Sequence, residues 1–407
     1  MKLALVISSL GCGGAERVMT LLANGWAGRG NTVVLITLSD PKTDFYGLHP
    51  VVRRIGLNLL KESRNPLAAL VNNWRRDQGL REAIRESDPD AVISFMTSTN
   101  ILTALSCRGL NTPVLLSEHI SPANERLRGA WRLLRRLTYA RAQLVVLTER
   151  NAQWFRQRFP RSHVRVIPNP VVVAEDDVGN EVSYRLVKSL PTNPFIVAMG
   201  RLVPQKGFDL LVRAFASIHW RHPEWSLVIL GDGPEREKIW RLALTLGIGD
   251  CVHMPGRVAR PHAVLRRAKL FALSSRFEGM PMALLEAMAC GLPCVSFDCP
   301  TGPAELIVHN VNGLLIPPED LPALAQSLVQ LMNDPALRVE LGRQAACAVQ
   351  NAFTLESVLT LWEDLLTSIV QPRKNETAGA RRTDRIAVEW HTYPLRSIGQ
   401  KALKDRD

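Results

Sequence analysis

Nowhere in this chain do about 18 apolar residues follow one another, so no segment is predicted to cross a bilayer as a helix. Seven cysteines, an odd number without regular spacing, exclude a disulfide framework. Cys290 and Cys294 have no second pair with which to bind zinc, and reduced thiols fit a cytoplasmic protein. Aromatic residues make up only 6%, and none interleave with the arginines as a stacking platform would require, so no nucleic-acid partner is expected. The dinucleotide fingerprint is missing too: in Gly11-Cys12-Gly13-Gly14, Glu16 stands where the third glycine should be. Asp88-Pro89-Asp90 comes nearest to a metal-binding D-x-D pair, but it reads as a turn before a strand, with no further acid nearby. Met1–Leu10 has a lysine before an apolar run yet no small-residue cleavage site after it. It reads as a first strand running into a glycine turn, rather than as a signal peptide.

What is present points to two α/β domains. At 407 residues and 45.3 kDa, with 46% hydrophobic residues, the chain exceeds one ordinary domain. Strand-like runs at Lys2–Ser9, Thr32–Leu38, Val51–Ile55, Ala91–Phe95, Pro113–Ser117, Leu144–Leu147 and Val164–Ile167 alternate with helical stretches, the pattern of a doubly wound parallel sheet. A second set follows: Phe195–Gly200, Leu227–Leu230, Val252–Gly256, Ala268–Ser275 and Pro293–Phe297. The predicted organisation is a first Rossmann-like domain over 1–172, an acidic linker over 173–193 and a second Rossmann-like domain over 194–352. A helix over 353–370 then crosses back to the first domain, and the polar tail 371–407 lacks an apolar period. The net charge of +12 is one-sided: Met1–Pro170 carries 24 Lys and Arg against 12 Asp and Glu, whereas Val171–Asp407 carries 26 against 26. The first half is therefore expected to face something anionic, such as a membrane surface or a polyprenyl diphosphate.

The densest chemistry lies in Ser274–Gly291. Pro281 suits a first helical position and Gly291 the residue past the end, which predicts a helix over about Pro281–Cys290. Glu286 sits in it among Leu284, Leu285, Ala287, Met288 and Ala289. An unpaired carboxylate there costs several kcal/mol, so a dedicated partner is expected, and two vicinal hydroxyls would serve. Glu278 stands in the glycine turn just before the helix, at the carboxyl end of a predicted strand where open α/β sheets bind ligands. Arg201 and Lys206 occupy another strand-to-helix turn, placed to clamp a diphosphate. Gly13 and Gly14 open a helix whose backbone N–H groups could receive a diphosphate or an acceptor. Glu118 and His119 end the strand begun at Pro113. On a helix over Glu125–Arg141, Arg128, Arg132, Arg135 and Arg136 share one side, while Leu127, Trp131, Leu134, Leu137 and Thr138 share the other. Such a helix fits anionic lipid or a diphosphate headgroup.

Four ordered motifs carry a family resemblance: Gly13–Val18 (GGAERV), Gly200–Leu211 (GRLVPQKGFDLL), Leu230–Lys238 (LGDGPEREK) and Glu278–Gly291 with its Glu-x7-Glu spacing. Together they resemble family 4 of the retaining glycosyltransferases, whose fold is GT-B: two Rossmann-like doubly wound domains facing a cleft. The S-E-H and W-R-x-L-R-R runs resemble bacterial enzymes that extend lipid-linked oligosaccharides. The resemblance implies that a hexose or N-acetylhexosamine moves from a UDP-sugar to a lipid-linked saccharide, with retention and with no metal and no cofactor. Arg201 and Lys206 would hold the diphosphate and Glu286 the ribose. Glu278 and His119 would contact the transferred sugar, Gly279, Met280 and Met282 would line the donor pocket beside Gly14, and Arg257 would lie by the nucleobase. Arg128, Arg132, Arg135 and Arg136 would meet the acceptor or the inner face of the plasma membrane. A UDP-sugar isomerase or epimerase on the same architecture, and a non-catalytic membrane-associated binder, are the competing expectations.

Overall fold

The computed structural model describes residues 1–60, 65–172 and 190–370, apart from 124, 126, 128, 259 and 260. The linker acids Glu175–Glu181, Arg128 and the tail 371–407 lie outside the described residues.

The first domain is built on a seven-stranded sheet of β1 (Lys2–Ile7), β2 (Thr32–Thr37), β3 (Arg53–Gly56), β4 (Ala91–Phe95), β5 (Val114–Glu118), β6 (Gln143–Val146) and β7 (His163–Val166). Their order is β3-β2-β1-β4-β5-β6-β7, and every pairing is parallel. Parallel strands must be covered on both faces, which is why β4 is buried along its whole length. The connections run through α1 (Gly14–Gly28), α2 (Pro66–Ser87), α3 (Thr97–Ser106), α4 (Ala130–Tyr139) and α5 (Glu149–Arg158). α2 packs on α3 and α3 on α4, so these three share one face of the sheet.

The second domain has a six-stranded parallel sheet of β8 (Phe195–Met199), β9 (Ser226–Leu230), β10 (Val252–Gly256), β11 (Leu270–Leu273), β12 (Cys294–Phe297) and β13 (Leu314–Ile316), in the order β10-β9-β8-β11-β12-β13. Its helices are α6 (Phe208–His219), α7 (Arg236–Thr245), α8 (His262–Leu265), α9 (Met282–Ala289), α10 (Leu321–Asn333), α11 (Pro335–Ala352) and α12 (Leu355–Ile369). The last helix, α12, lies on α1 of the first domain. Trp362 meets Trp26 edge to face at 6.1 Å, and Arg29 reaches Glu363 at 2.6 Å. The Val171 N–H donates to the Phe353 carbonyl at 2.8 Å where the chain passes between the domains.

One expectation needs correction. The basic helix does not start at Glu125: Gly129, at φ +51°, breaks the backbone, and among the described residues of that segment only Ala130–Tyr139 is helical.

Strand order reverses between β1 and β4 in the first sheet and between β8 and β11 in the second. Those are the places where an open parallel sheet leaves a crevice past its carboxyl ends, because successive crossovers turn away in opposite directions. The loop after β11 carries Glu278, and the loop after β8 carries Arg201 and Lys206.

Candidate active site

The two loops of the second domain are laced together. The Lys206 ammonium lies 2.5 Å from Glu278 Oε1, the same oxygen accepts from Ser275 Oγ at 2.7 Å, and Thr301 Oγ1 donates to the Glu278 carbonyl. Arg276 makes two bonds to Asp209 in the first turn of α6, at 3.0 and 2.9 Å, while Gln205 donates to the Phe277 carbonyl at 2.8 Å. Gly207 is needed for this closeness. Its φ of +61° suits glycine, and a Cβ there would stand 2.1 Å from the Ser274 carbonyl oxygen. The result is a buried Glu278 held beside the Lys206 cation, with the exposed Arg201 at the same strand end.

Glu286 projects from α9 and is 2% exposed. Its predicted burial is found, and so is a protein partner: Arg17 Nη1, from α1 of the other domain, lies 2.6 Å from Oε1. Oε2 is sealed from solvent without a hydrogen-bond partner. Burial pushes this carboxyl up to about 7 although Arg17 pulls it down. Sequence reasoning missed Arg17. The signal was its place in the first turn of α1, where the helix dipole disfavours a cation and some other interaction must hold it. Glu16, next to it, is raised by burial and held back by Arg201 across the cleft.

The Glu278–Met282 turn docks on the first domain at three points. A Cβ on Gly279 would stand 2.3 Å from the His119 carbonyl oxygen, so only glycine permits this approach. Met280 Sδ accepts from the Asn169 N–H at 3.3 Å, and a Cβ on Gly14 would meet Met282 Cγ at 3.4 Å. Gly14, His119, Gly279, Met280, Met282 and Glu286 are thus brought together, and Glu16 links that group to Arg201. His119 lies over Phe95 with ring centroids 4.0 Å apart, and its Nε2 is 3.1 Å from Ser117 Oγ. Its Nδ1 is sealed and unpartnered, and burial lowers the ring to about 3, so it is neutral at physiological pH.

The neighbouring Glu118 points the other way, under α3 and α4. It accepts from Tyr139 Oη, from Thr97 Oγ1 at 2.7 Å and from Asn100 Nδ2 at 3.2 Å, and burial raises it to about 7. Arg257 follows β10, its guanidinium 4.0 Å from Asp232, whose backbone carbonyl accepts from the Leu202 N–H next to Arg201 at 3.0 Å. The basic helix is rearranged: Arg132 and Arg136 are exposed, but Arg135 turns back to Glu125 at 3.1 Å and lies over Trp154. Leu137 is exposed together with Leu133. The shorter helix packs on the sheet through Trp131 and Leu134, which leaves Leu133 and Leu137 on its outer side.

Comparison with known proteins agrees with this architecture. Residues 12–175 match Glycosyltransferase Family 4, and residues 186–347 match Glycosyl transferases group 1. An exopolysaccharide phosphotransferase of Streptomyces coelicolor is 35% identical over 76% of this chain, although the chain spans only 32% of that protein. A Campylobacter jejuni α-1,4-N-acetyl-D-galactosaminyltransferase, named for a GalNAc-GalNAc-diNAcBac-PP-undecaprenol acceptor, is 28% identical over 91% of this chain and 99% of its own. Among solved structures, Anabaena HepE in complex with UDP-glucose superposes with a TM-score of 0.74 at 19% identity, covering 91% of this chain and 100% of that one. The chain therefore belongs to the family 4 glycosyltransferases, with a Glycosyltransferase Family 4 domain followed by a group 1 domain on the GT-B fold.

Proposed function

We propose that this enzyme transfers a hexose or N-acetylhexosamine, with retention and without a metal, from a UDP-sugar to a lipid-linked saccharide during bacterial surface-glycan assembly. The observation that carries this reading is the grouping of two cations and two buried acids where the second sheet reverses its strand order. Arg201 and Lys206 bind the diphosphate and stabilise the charge that grows on it as the glycosidic bond breaks, work that a metal would otherwise do. The free oxygen of Glu286 accepts from ribose hydroxyls. Glu278, held beside Lys206, accepts from hydroxyls of the transferred sugar, and neutral His119 reaches that sugar from the first domain without repelling the diphosphate's counter-charges. The donor finds support in the UDP-glucose complex of HepE, and the acceptor in the lipid-diphosphate acceptor of the Campylobacter relative.

A lipid-linked acceptor would bring the enzyme to the cytoplasmic face of the membrane. None of the described helices is long and apolar enough to cross it, and the first domain offers a surface instead. Leu67, Leu70, Val71 and Trp74 are exposed at helical spacing along the start of α2, with Leu67 at 75% and Trp74 at 63%. Leu133 and Leu137 on α4, each next to an exposed arginine, Arg132 or Arg136, lie on the same face of the sheet. Apolar side chains beside arginines suit the boundary between headgroups and acyl chains.

The direct test is a donor screen with a lipid diphosphate saccharide and excess chelator. Transfer from a UDP-sugar with an α-linked product is expected. Strict dependence on added metal, or isomerisation of UDP-sugar in the absence of acceptor, would overturn the reading. In the same assay Arg201→Ala and Lys206→Ala should each lower turnover by about 10²-fold or more, by analogy with the loss of one oxyanion-stabilising group.

A further inference from the structure

The partner of Glu286 comes from the other domain. Arg17 stands on α1, which follows β1 of the first sheet, whereas Glu286 stands on α9, which follows β11 of the second. Their side chains are 17% and 3% exposed, so the 2.6 Å pair is largely withdrawn from water. It uses one carboxylate oxygen and leaves the other buried and unpartnered. A sealed acceptor with nothing to accept from is costly, about 1–3 kcal/mol, and marks a place prepared for a donor group that arrives later.

We infer that Arg17 is a positioning residue of the nucleotide site: by holding one oxygen of Glu286 it fixes the carboxyl group and turns the other oxygen toward the ribose hydroxyls of a nucleoside diphosphate sugar. This rests on Glu286 being the ribose acceptor. The consequence is that the second domain alone does not make a competent donor site, and the first domain must be docked for Glu286 to accept. Glu16 supports the same picture, since adjacent residues of one helix turn present an acid toward Arg201 and a cation to Glu286. The first domain thereby opposes in sign both of the charges that the donor engages.

The charges around Glu286 leave Arg17 as the group that favours its ionised form. Tyr46 faces Glu286 as a neutral phenol, held well above its ordinary value by burial. Cys290, on the same helix, is pushed up to about 11 by burial and is neutral as well. On the neighbouring α8, His262 is lowered to about 4 by burial and then by Arg17 and Arg266, so it carries no charge at neutral pH; Arg266 lies beside Cys290. Without Arg17 the Glu286 carboxyl would keep its proton to higher pH and would offer the ribose a donor where an acceptor is wanted.

The test is calorimetric binding of UDP to the full chain between about pH 6.5 and 9, for wild type, Arg17→Met, Arg17→Lys, Glu286→Gln and the Arg17→Met/Glu286→Gln double variant. The nucleotide's own ionisation is common to all five and cancels in the comparison. Arg17→Met should move the pH midpoint of binding up by about one unit or more, which from a midpoint near 7 weakens UDP binding at pH 7 by about fivefold or more. Its affinity should approach that of wild type at the alkaline end, and Arg17→Lys should recover part of the loss. The double variant should bind no more weakly than Glu286→Gln alone. If wild type binds UDP and Arg17→Met binds it with the same affinity and pH profile, the inference is overturned while the donor site stands. A uniform loss in Arg17→Met with an unshifted midpoint and a lowered melting temperature would make Arg17 structural, and would also overturn it. A wild-type chain that binds no UDP at any pH strikes the donor reading itself.

Discussion

Two acids, Glu118 and Glu286, are fully buried in this protein, and both are raised to about 7 chiefly by burial. The unfolded chain releases these protons near pH 4.5, so between roughly pH 4.5 and 7 the folded state binds more protons than the unfolded one. For these two groups stability is therefore greatest at the acid end and falls as pH rises through about 7. Glu118→Gln, which does not ionise, should flatten that fall when urea denaturation is compared at pH 5 and pH 8. An unchanged slope would mean that Glu118 is ionised throughout. Glu118 and His119 illustrate how little separates a structural residue from a site residue. They are adjacent on a strand end, and the alternation of side chains sends one under α3 and α4 and the other over Phe95. Gly279 shows the same sensitivity at the domain contact. Gly279→Ala must push the His119 backbone away, since a Cβ would sit at 2.3 Å. It should lower turnover, through a misplaced His119 and a loosened cleft, without lowering the secondary-structure content seen by circular dichroism.

At the scale of elements, α2 and α4 carry the proposed membrane face. Exposed Leu67, Leu70 and Trp74 make no buried contact to lose, so changing all three to Ser should leave UDP binding and thermal stability close to wild type. Co-sedimentation with vesicles containing anionic phospholipid should fall by about tenfold or more, each large apolar side chain being worth on the order of 1.5–3 kcal/mol when fully buried. Equal sedimentation of the variant would remove α2 from the contact. These elements also show what pattern reading captured. The arginine and leucine composition of the Trp131–Thr138 segment announced an amphipathic helix, but the break at Gly129 and the pairing of Arg135 with Glu125 decided which arginines face outward. Helix α9 was legible to within a residue, because Pro281 and Gly291 punctuate it and its apolar run admits few alternatives.

At the scale of the molecule, α12 ties the end of the second domain to the beginning of the first. Trp362 is buried against Trp26, and Trp362→Ala should cost about 3–5 kcal/mol of the stability measured by denaturant, in line with other large core truncations. A loss below 1 kcal/mol would mean that the helix is not docked in solution. The pattern of the sequence by itself determined the two parallel sheets, the strand ends that carry Arg201, Lys206 and Glu278, and the burial of Glu286, because periodicity, turn residues and the cost of a charge among apolar neighbours are local properties. The tertiary structure alone decided what those residues meet. Arg17 reaches Glu286 across 269 positions of chain and Gly279 packs on the His119 backbone, because docking two separately folded sheets sets distances that no spacing within either one encodes.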